Sequence, residues 1–321
     1  MRKHVILTTL FLVLSTTIFA QTINEAGEKF NSANAQYSEK NYAGALKLYN
    51  EALAITKALG DDGFQLGTNI ETMIPKTKEA LAKAYINDKN IDEALKYLLE
   101  AIKDADNVAD TKTAASCKGL ACNIYLAKAG SAYGQKNWDD AISLSNLAIE
   151  YNKSTPKAYL FKALAYSDKK DEANMTAAIM DAVTYGEARN DPKTVSSARQ
   201  VGTTYFNNQA QAFIGKSNFN DAVKSLNKSI EIDNKVENTW YLKASCLNKL
   251  NKTDEAIEAG LEGLKIESEN KDIRNGINLE LARAYEAKGD NANACTYYKQ
   301  AATSATFKEE ATFKTTELKC K

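Results

Sequence analysis

Small and apolar residues recur at helical spacings along most of the chain, and they do so in paired segments. TKEALAKAYINDKNIDEALKYLLEAI, Thr77 to Ile102, places Ala82 and Tyr85 on one face of a first segment and Ala94, Leu98 and Ala101 on one face of a second. Recurrence at three and four residues marks an amphipathic α-helix. NTWYLKASCLNKLNKTDEAIEAGLEGL, Asn238 to Leu264, repeats the arrangement. Short polar connections, NDKNID and KLNKTD, join the halves and force them to run antiparallel as neighbours. No stretch alternates polar and apolar residues over the length a half-buried strand requires. The pattern predicts an all-α chain.

The pairs themselves recur. FNDAVKSLNKSIEI at Phe219 to Ile232 overlays TDEAIEAGLEGLKI at Thr253 to Ile266 with a shift of 34 residues. The small residue opening each second-helix face can be followed as Ala45, Ala94, Ala141, Met175, Ala222, Ala256 and Ala294. A bulky residue follows it as Tyr49, Leu98, Leu226 or Tyr298, while Gly260, Gly263 and Ser145 are small where that pattern expects otherwise. First helices contribute Ala82 with Tyr85, Ala163 with Tyr166, Ala210 with Phe213, Ala244 with Leu247 and Ala282 with Tyr285. Three intervals carry extra residues, around GDDGFQLGTNIETMIP, DADNVADTKTAAS and GEARNDPKTVSS, expected to lengthen helices or loops. Pro75, Pro156 and Pro192 are expected at the front of helices, where a missing backbone donor does little damage.

Over residues 28 to 302 this chain resembles the tetratricopeptide repeat family, whose 34-residue helix-turn-helix units place small residues where helices cross. The resemblance implies an α-α superhelix, a right-handed solenoid of about seven helical hairpins over residues 21–302, with a C-terminal cap or tail over 303–321. It also implies a concave groove lined by first helices. The Met175 repeat is the most degenerate of the series.

The start, MRKHVILTTLFLVLSTTIFAQ, has a basic end at Arg2 and Lys3, an apolar run from Val5 to Leu14 and a small residue, Ala20, before Gln21. That order predicts a signal peptide over residues 1–20. A signal followed directly by glutamine resembles exported proteins of the Bacteroidetes group, and a periplasmic or secreted location is expected. The apolar run is too short for a membrane span.

Charge and cysteine content narrow the partners. Basic and acidic residues number 41 each, and loss of Arg2 and Lys3 with the signal would leave a small negative excess. Neither nucleic acid nor an anionic membrane surface is expected of such a balance. Five cysteines, Cys117, Cys122, Cys246, Cys295 and Cys320, are too scattered for a disulfide scaffold, so buried free thiols are expected. Cys320 could alternatively tether a partner.

Catalytic chemistry finds little support. The sole histidine, His4, lies in the predicted signal, which removes the usual proton shuttle and the commonest nitrogen metal ligand. The adjacent carboxylates Asp61–Asp62, Asp139–Asp140 and Glu309–Glu310 do not face one another on a helix. Gly60, Gly63 and Gly67 lack the spacing of a phosphate loop, and DADNVAD lacks the central glycine of a calcium loop. No enzyme activity, cofactor or metal is expected.

What remains is binding. The family's groove-lining first helices direct attention to Asn123, Tyr133, Asn207, Gln211, Asn238, Tyr241, Ser245, Asn248 and Arg283, whose amides and phenols can read peptide backbone or sugar hydroxyls. Leu160, Leu164 and Leu279 are expected to pack neighbouring helices. Some family members hold acidic chain ends with a lysine, asparagine and arginine clamp, from which Glu79 with Lys83 and Asn207 with Gln211 depart. The expected function is a non-catalytic scaffold that binds a peptide or protein segment of an exported or membrane-associated partner. The alternative is a carbohydrate-binding or uptake accessory protein with a glycan ligand.

Overall fold

A computed structural model describes residues 22–267 and 270–321; the expected signal peptide, with His4, lies outside the described residues. All regular structure among them is helical. The helices are α1 (22–38), α2 (Tyr42–Ala58), α3 (Phe64–Asn87), α4 (Ile91–Asn107), α5 (Thr111–Gly134), α6 (Trp138–Tyr151), α7 (Pro156–Asp168) and α8 (Glu172–Ala188). They continue as α9 (Pro192–Ile214), α10 (Phe219–Ile232), α11 (Glu237–Lys249), α12 (Thr253–Leu264), α13 (Lys271–Ala287), α14 (Asn291–Ala301) and α15 (Lys308–Glu317). No described helix is long and apolar enough to cross a membrane.

The extra residues of the longer repeats become helix rather than loop. Helices α3 and α5 have 24 residues each and α9 has 23, against 13 in α7 and α11. Pro156 and Pro192 open their helices as expected, but Pro75 sits inside α3. A one-turn 3-10 segment, Gly60–Gly63, starts that helix eleven residues early, at Phe64. Ile70 and Ile74 then bury against Leu46 and Tyr49, and this packing offsets the cost of an interior proline, about 3 kcal/mol.

One turn design recurs between helices. A residue at positive φ is followed by Asn or Asp at the next N-cap: Lys40–Asn41, Lys89–Asn90, Lys170–Asp171, Ser217–Asn218 and Gly289–Asp290. The cap side chain commonly accepts from the backbone N–H three residues on, as Asp171 does from Asn174 at 3.2 Å and Asp290 from Asn293 at 3.1 Å. At Lys89 the chain closes with Lys89 N–H to Ile86 O at 3.0 Å and Asn90 N–H to Tyr85 O at 2.8 Å. A left-handed residue at the helix end satisfies the last carbonyls but strains any side chain with a Cβ. Lys89→Gly should therefore raise unfolding stability by about 0.5–1 kcal/mol after the greater freedom of the unfolded glycine is deducted. A urea melt with an unchanged or lower midpoint would contradict this account.

Even-numbered helices supply the seam of each hairpin with a residue triplet spaced i, i+4, i+7. Ala45–Tyr49–Ala52, Ala94–Leu98–Ala101, Ala141–Ser145–Ala148, Met175–Ile179–Ala182, Ala222–Leu226–Ser229 and Ala294–Tyr298–Ala301 are all fully buried. Ala256–Gly260–Gly263 completes the series, also buried. That spacing puts three residues on one stripe; in α2, α4, α10 and α14 it forms a small–large–small ridge, whereas Ser145 and Gly260 keep the middle small and Met175 opens its stripe with a large residue. The degenerate Met175 repeat thus has the same buried stripe as the rest.

The chain divides into two compact units, Met1–Gln135 with Ser143–Lys153, and Lys136–Ile142 with Ser154–Lys321. In the first, α2 packs on α3, α3 on α4 and α4 on α5, and α3 also touches α5. In the second, each helix from α7 to α14 packs on the next, with α7 also on α9 and α11 also on α13. Within each unit, then, some odd-numbered helices also touch one another, α3 with α5, α7 with α9 and α11 with α13. Stacked tyrosines join the two helices within the α3–α4 and α13–α14 hairpins, Tyr85 on Tyr97 and Tyr285 on Tyr297, both with ring centres 5.6 Å apart.

The C-terminal segment departs from the cysteine expectation. Cys117, Cys122 and Cys246 are buried free thiols, but Cys295 and Cys320 form an intrachain disulfide that ties the chain end to α14. Residues 25 apart in sequence meet because α15 folds back onto α14. The terminal segment is a helical cap, with Ala311 buried and Phe307 and Leu318 packed on Tyr298 and its neighbours.

Candidate functional site

Three of the nine residues picked from sequence are occupied by cross-links between hairpins. Asn207 of α9 donates to the Thr239 hydroxyl of α11 at 2.9 Å, and that hydroxyl lies 3.2 Å from Asn207 Oδ1. Asn248 of α11 donates to the Glu280 carbonyl at 2.9 Å and to its carboxylate at 2.8 Å on α13. Arg283 joins the same carboxylate at 2.9 Å and forks onto Glu310 of α15 at 2.6 and 2.7 Å. Glu280 is nearly inaccessible, so its charge is balanced by these donors within the protein.

The other six are dispersed. Tyr241 lies half-buried with its ring against Gly276, where an added Cβ would come within 2.8 Å of Cε2, and burial holds its phenol above the usual range. Asn238, Ser245 and Tyr133 are half-buried, while Asn123 and Gln211 are exposed. None of the nine lines the two clefts described next.

The first cleft lies in the second unit between α7 and α9 and holds about 890 Å³. Leu160, Leu164, Val201 and Tyr205 form an apolar floor, each half-buried. Gln200, Thr204 and Asn208 stand exposed along one edge, with Ser167, Ser197 and Gln209 completing an uncharged rim; Lys170 is the one charged residue lining it. The sequence of α9 sets this up. Its buried row runs Val195, Ala198, Gly202, Phe206 and Ala210, which leaves the four-residue row Gln200–Thr204–Asn208 on the opposite side. Gly202 lets α9 approach closely, since an added Cβ would stand 2.4 Å from the Ile232 side chain and 2.9 Å from that of Ile179. Leu160 and Leu164, expected as packing residues, are open to this cleft. The signal that could have found it is that row of amides and a hydroxyl at four-residue spacing on an unusually long helix.

The second cleft lies in the first unit, holds about 840 Å³ and is bordered by the α1–α2 turn, α3 and the start of α5. Lys40, Lys76, Lys83 and Lys112 surround it, against two acids, Glu79 and Asp110. Glu79 accepts from Lys83 at 2.5 Å and Ser116 at 2.6 Å. Asp110 caps α5 through the Thr113 N–H at 3.1 Å and hydroxyl at 2.7 Å, bonds that hold its carboxyl below the usual range.

Burial disfavours thiolate formation at two of the cysteines. Burial pushes Cys117 up to about 12 and Cys246 up to about 11, leaving both as protonated, unreactive side chains at neutral pH. Among the described residues no cluster of His, Cys, Asp and Glu could hold a metal ion.

Residues 76–103, 203–236 and 237–270 match one sequence profile of the tetratricopeptide repeat, and residues 279–310 match another. Four stretches of this chain carry the tetratricopeptide repeat. They overlap the pairs α3–α4, α9–α10, α11–α12 and α13–α14, and the hairpins outside these stretches also bury a triplet at the same spacing. A TPR repeat-containing protein of Methanocaldococcus jannaschii is 24% identical over 270 residues, covering 83% of this chain. The chain spans 41% of that relative's length. Among solved structures, the TPR2AB-domain:pHSP90 complex of yeast Sti1 is 15% identical, with 92% of this chain and 96% of that one covered at a TM-score of 0.38. The C-terminal part of a TPR repeat-containing protein from Cytophaga hutchinsonii is 16% identical, with coverage of 89% and 98% and a TM-score of 0.33. Tetratricopeptide proteins generally mediate protein–protein interaction.

Proposed function

We infer that this is an exported, non-catalytic interaction protein whose α7–α9 cleft holds a segment of an exported or membrane-associated polypeptide. The cleft itself carries the reading: an apolar floor of Leu160, Leu164, Val201 and Tyr205 beside an uncharged rim of amides and hydroxyls. Such a surface takes an apolar side chain on its floor while Gln200 and Asn208, each both donor and acceptor, pair with the backbone of the bound segment. With a single lysine at its border, shape rather than charge sets its preference. Export accords with the basic–apolar–small start of the sequence and with the Cys295–Cys320 bond, since disulfides persist in oxidising compartments. The lack of histidine beyond His4 and the burial that keeps Cys117 and Cys246 protonated support a binding role over a catalytic one.

The test is capture from the exported fraction with wild-type protein and with the Thr204→Lys/Asn208→Lys variant, both positions being exposed and replaceable without disturbing the core. A polypeptide retained by the wild type and lost at least tenfold in the variant is the expected result. Retention of a glycan instead, competed by free sugar, would replace the peptide reading with the carbohydrate one. Equal capture by both proteins would remove the cleft from the account.

A further inference from the structure

We propose that the lysine-bordered cleft of the first unit is a second, separate binding site, for a polypeptide segment bearing several acidic side chains along its length. The argument is one of charge left over after the protein's own pairings. Glu79 is engaged by Lys83 and Ser116, and both oxygens of Asp110 are engaged by Thr113. Lys76 reaches Asp110 only at 4.0 Å. Among the described residues Lys40 and Lys112 have no carboxylate partner, and both are exposed at the cleft. Four cations against two acids leave an excess of two positive charges on a chain whose overall charge balances. A concave surface with an excess of one sign of charge draws in ligands of the other sign.

Placement then limits what the ligand can be. Lys40 sits in the α1–α2 turn, Lys76 and Lys83 lie on α3, and Lys112 lies in the first turn of α5. Packed helices stand roughly 8–10 Å apart. One carboxylate at a chain end cannot reach cations on the α1–α2 turn, α3 and α5 together, whereas acidic side chains spaced along a segment can. Asn87 and Ser116, both exposed on the wall, supply polar groups for the backbone between those side chains, and Tyr37 with Tyr42 closes one end as an edge-to-face pair at 5.3 Å. Lysines suit this task because each presents a mobile point charge rather than a fixed fork.

Fluorescence anisotropy tests the site with full-length protein and a labelled peptide of alternating Glu and Gly, acetylated and amidated so that no chain-end carboxylate exists. Binding is expected at low ionic strength, to fall steeply as salt is added, and to weaken at least tenfold in Lys40→Glu/Lys112→Glu. Lys193→Glu, a single reversal of the same kind on exposed α9, should leave it unchanged. Thermal melts establish that the variants remain folded, and Lys40→Gln/Lys112→Gln, which removes charge without reversing it, should weaken binding several-fold if the double reversal unfolds the unit. The proposal is overturned if the amidated peptide does not bind, if only its free-acid form binds, if Lys193→Glu weakens it as much as the cleft variant, or if a sulfated oligosaccharide binds and the peptide does not. Thr204→Lys/Asn208→Lys should leave this peptide's affinity intact, which separates the outcome here from that of the α7–α9 cleft.

Discussion

Gly260→Leu, which gives α12 the bulky residue its counterparts carry, should destabilise the protein. Tyr49, Leu98, Ile179, Leu226 and Tyr298 fill the middle of the buried triplet in five other hairpins. At Gly260 the space is already taken: an added Cβ would lie 2.6 Å from Leu281 Cγ and 2.7 Å from Cδ2, and Leu281 of α13 is itself fully buried. Gly263 repeats the exchange, with Ile277 Cδ1 2.9 Å and Trp240 Cβ 3.0 Å from an added Cβ. The neighbouring hairpin thus supplies the bulk that this one lacks. Overpacking a tight core typically costs about 1–3 kcal/mol. Replacing a helical glycine returns up to about 1 kcal/mol of helix propensity, so a net loss of about 1–2 kcal/mol is expected. The decisive comparison is the double variant Gly260→Leu/Leu281→Ala, which restores one large side chain to the shared space. It should be more stable than the sum of the single changes by at least about 1 kcal/mol, a coupling that denaturant melts on the four proteins of the cycle can measure. A stabilised Gly260→Leu, or zero coupling, would mean that the two hairpins do not share this volume.

The same exchange explains what was legible in the sequence and what was not. The hairpins could be read because their signals are local: helical periodicity, a short polar turn, and a buried triplet within eight residues. Pro75 misled because a proline near a helical segment reads as a start, whereas the start of α3 was decided by the turn at Gly60–Gly63 and by burial of Ile70 and Ile74. Asn207, Asn248 and Arg283 read as available because each lies on an open face of its own helix. Thr239 and Glu280, the partners of Asn207 and Asn248, lie one stacked repeat away, 32 residues on, and Glu310, which Arg283 reaches besides its helix neighbour Glu280, lies 27 residues on in α15; only stacking brings these together. The α7–α9 cleft was missed for the complementary reason. Leu160 and Leu164 look like core on their own helix, and their exposure is set by how closely α9 approaches.

Breaking the Cys295–Cys320 bond should loosen the cap and the hairpin beneath it while leaving distant hairpins as they are. Helix α15 has ten residues and one buried side chain, Ala311, and isolated helices of that length are marginal in water. Two ion pairs hold it to α13, Arg283 with Glu310 at 2.6 Å and Lys314 with Glu286 at 2.7 Å. All four side chains are between about a quarter and half exposed, and such pairs contribute on the order of 1 kcal/mol or less each. A disulfide closing a 25-residue loop stabilises by about 3 kcal/mol in the chain-entropy account, more than either pair. Beneath the cap, Leu279, Ala282, Tyr298 and Ala301 form a buried cluster with Phe307 and Leu318, and this apolar surface meets water when the cap leaves. In a stacked array each hairpin contacts its neighbours alone, so the loss stays near the end. Cys295→Ser should therefore lower the stability of the C-terminal hairpin by about 2–4 kcal/mol, with faster amide exchange in α14 and α15 and unchanged exchange in α2 to α4. In reduced wild-type protein, Cys295 and Cys320 should react with an alkylating agent under native conditions while buried Cys117 and Cys246 do not. If Cys295→Ser keeps α15 protected to the wild-type level, burial and ion pairs hold the cap and the covalent tie is incidental.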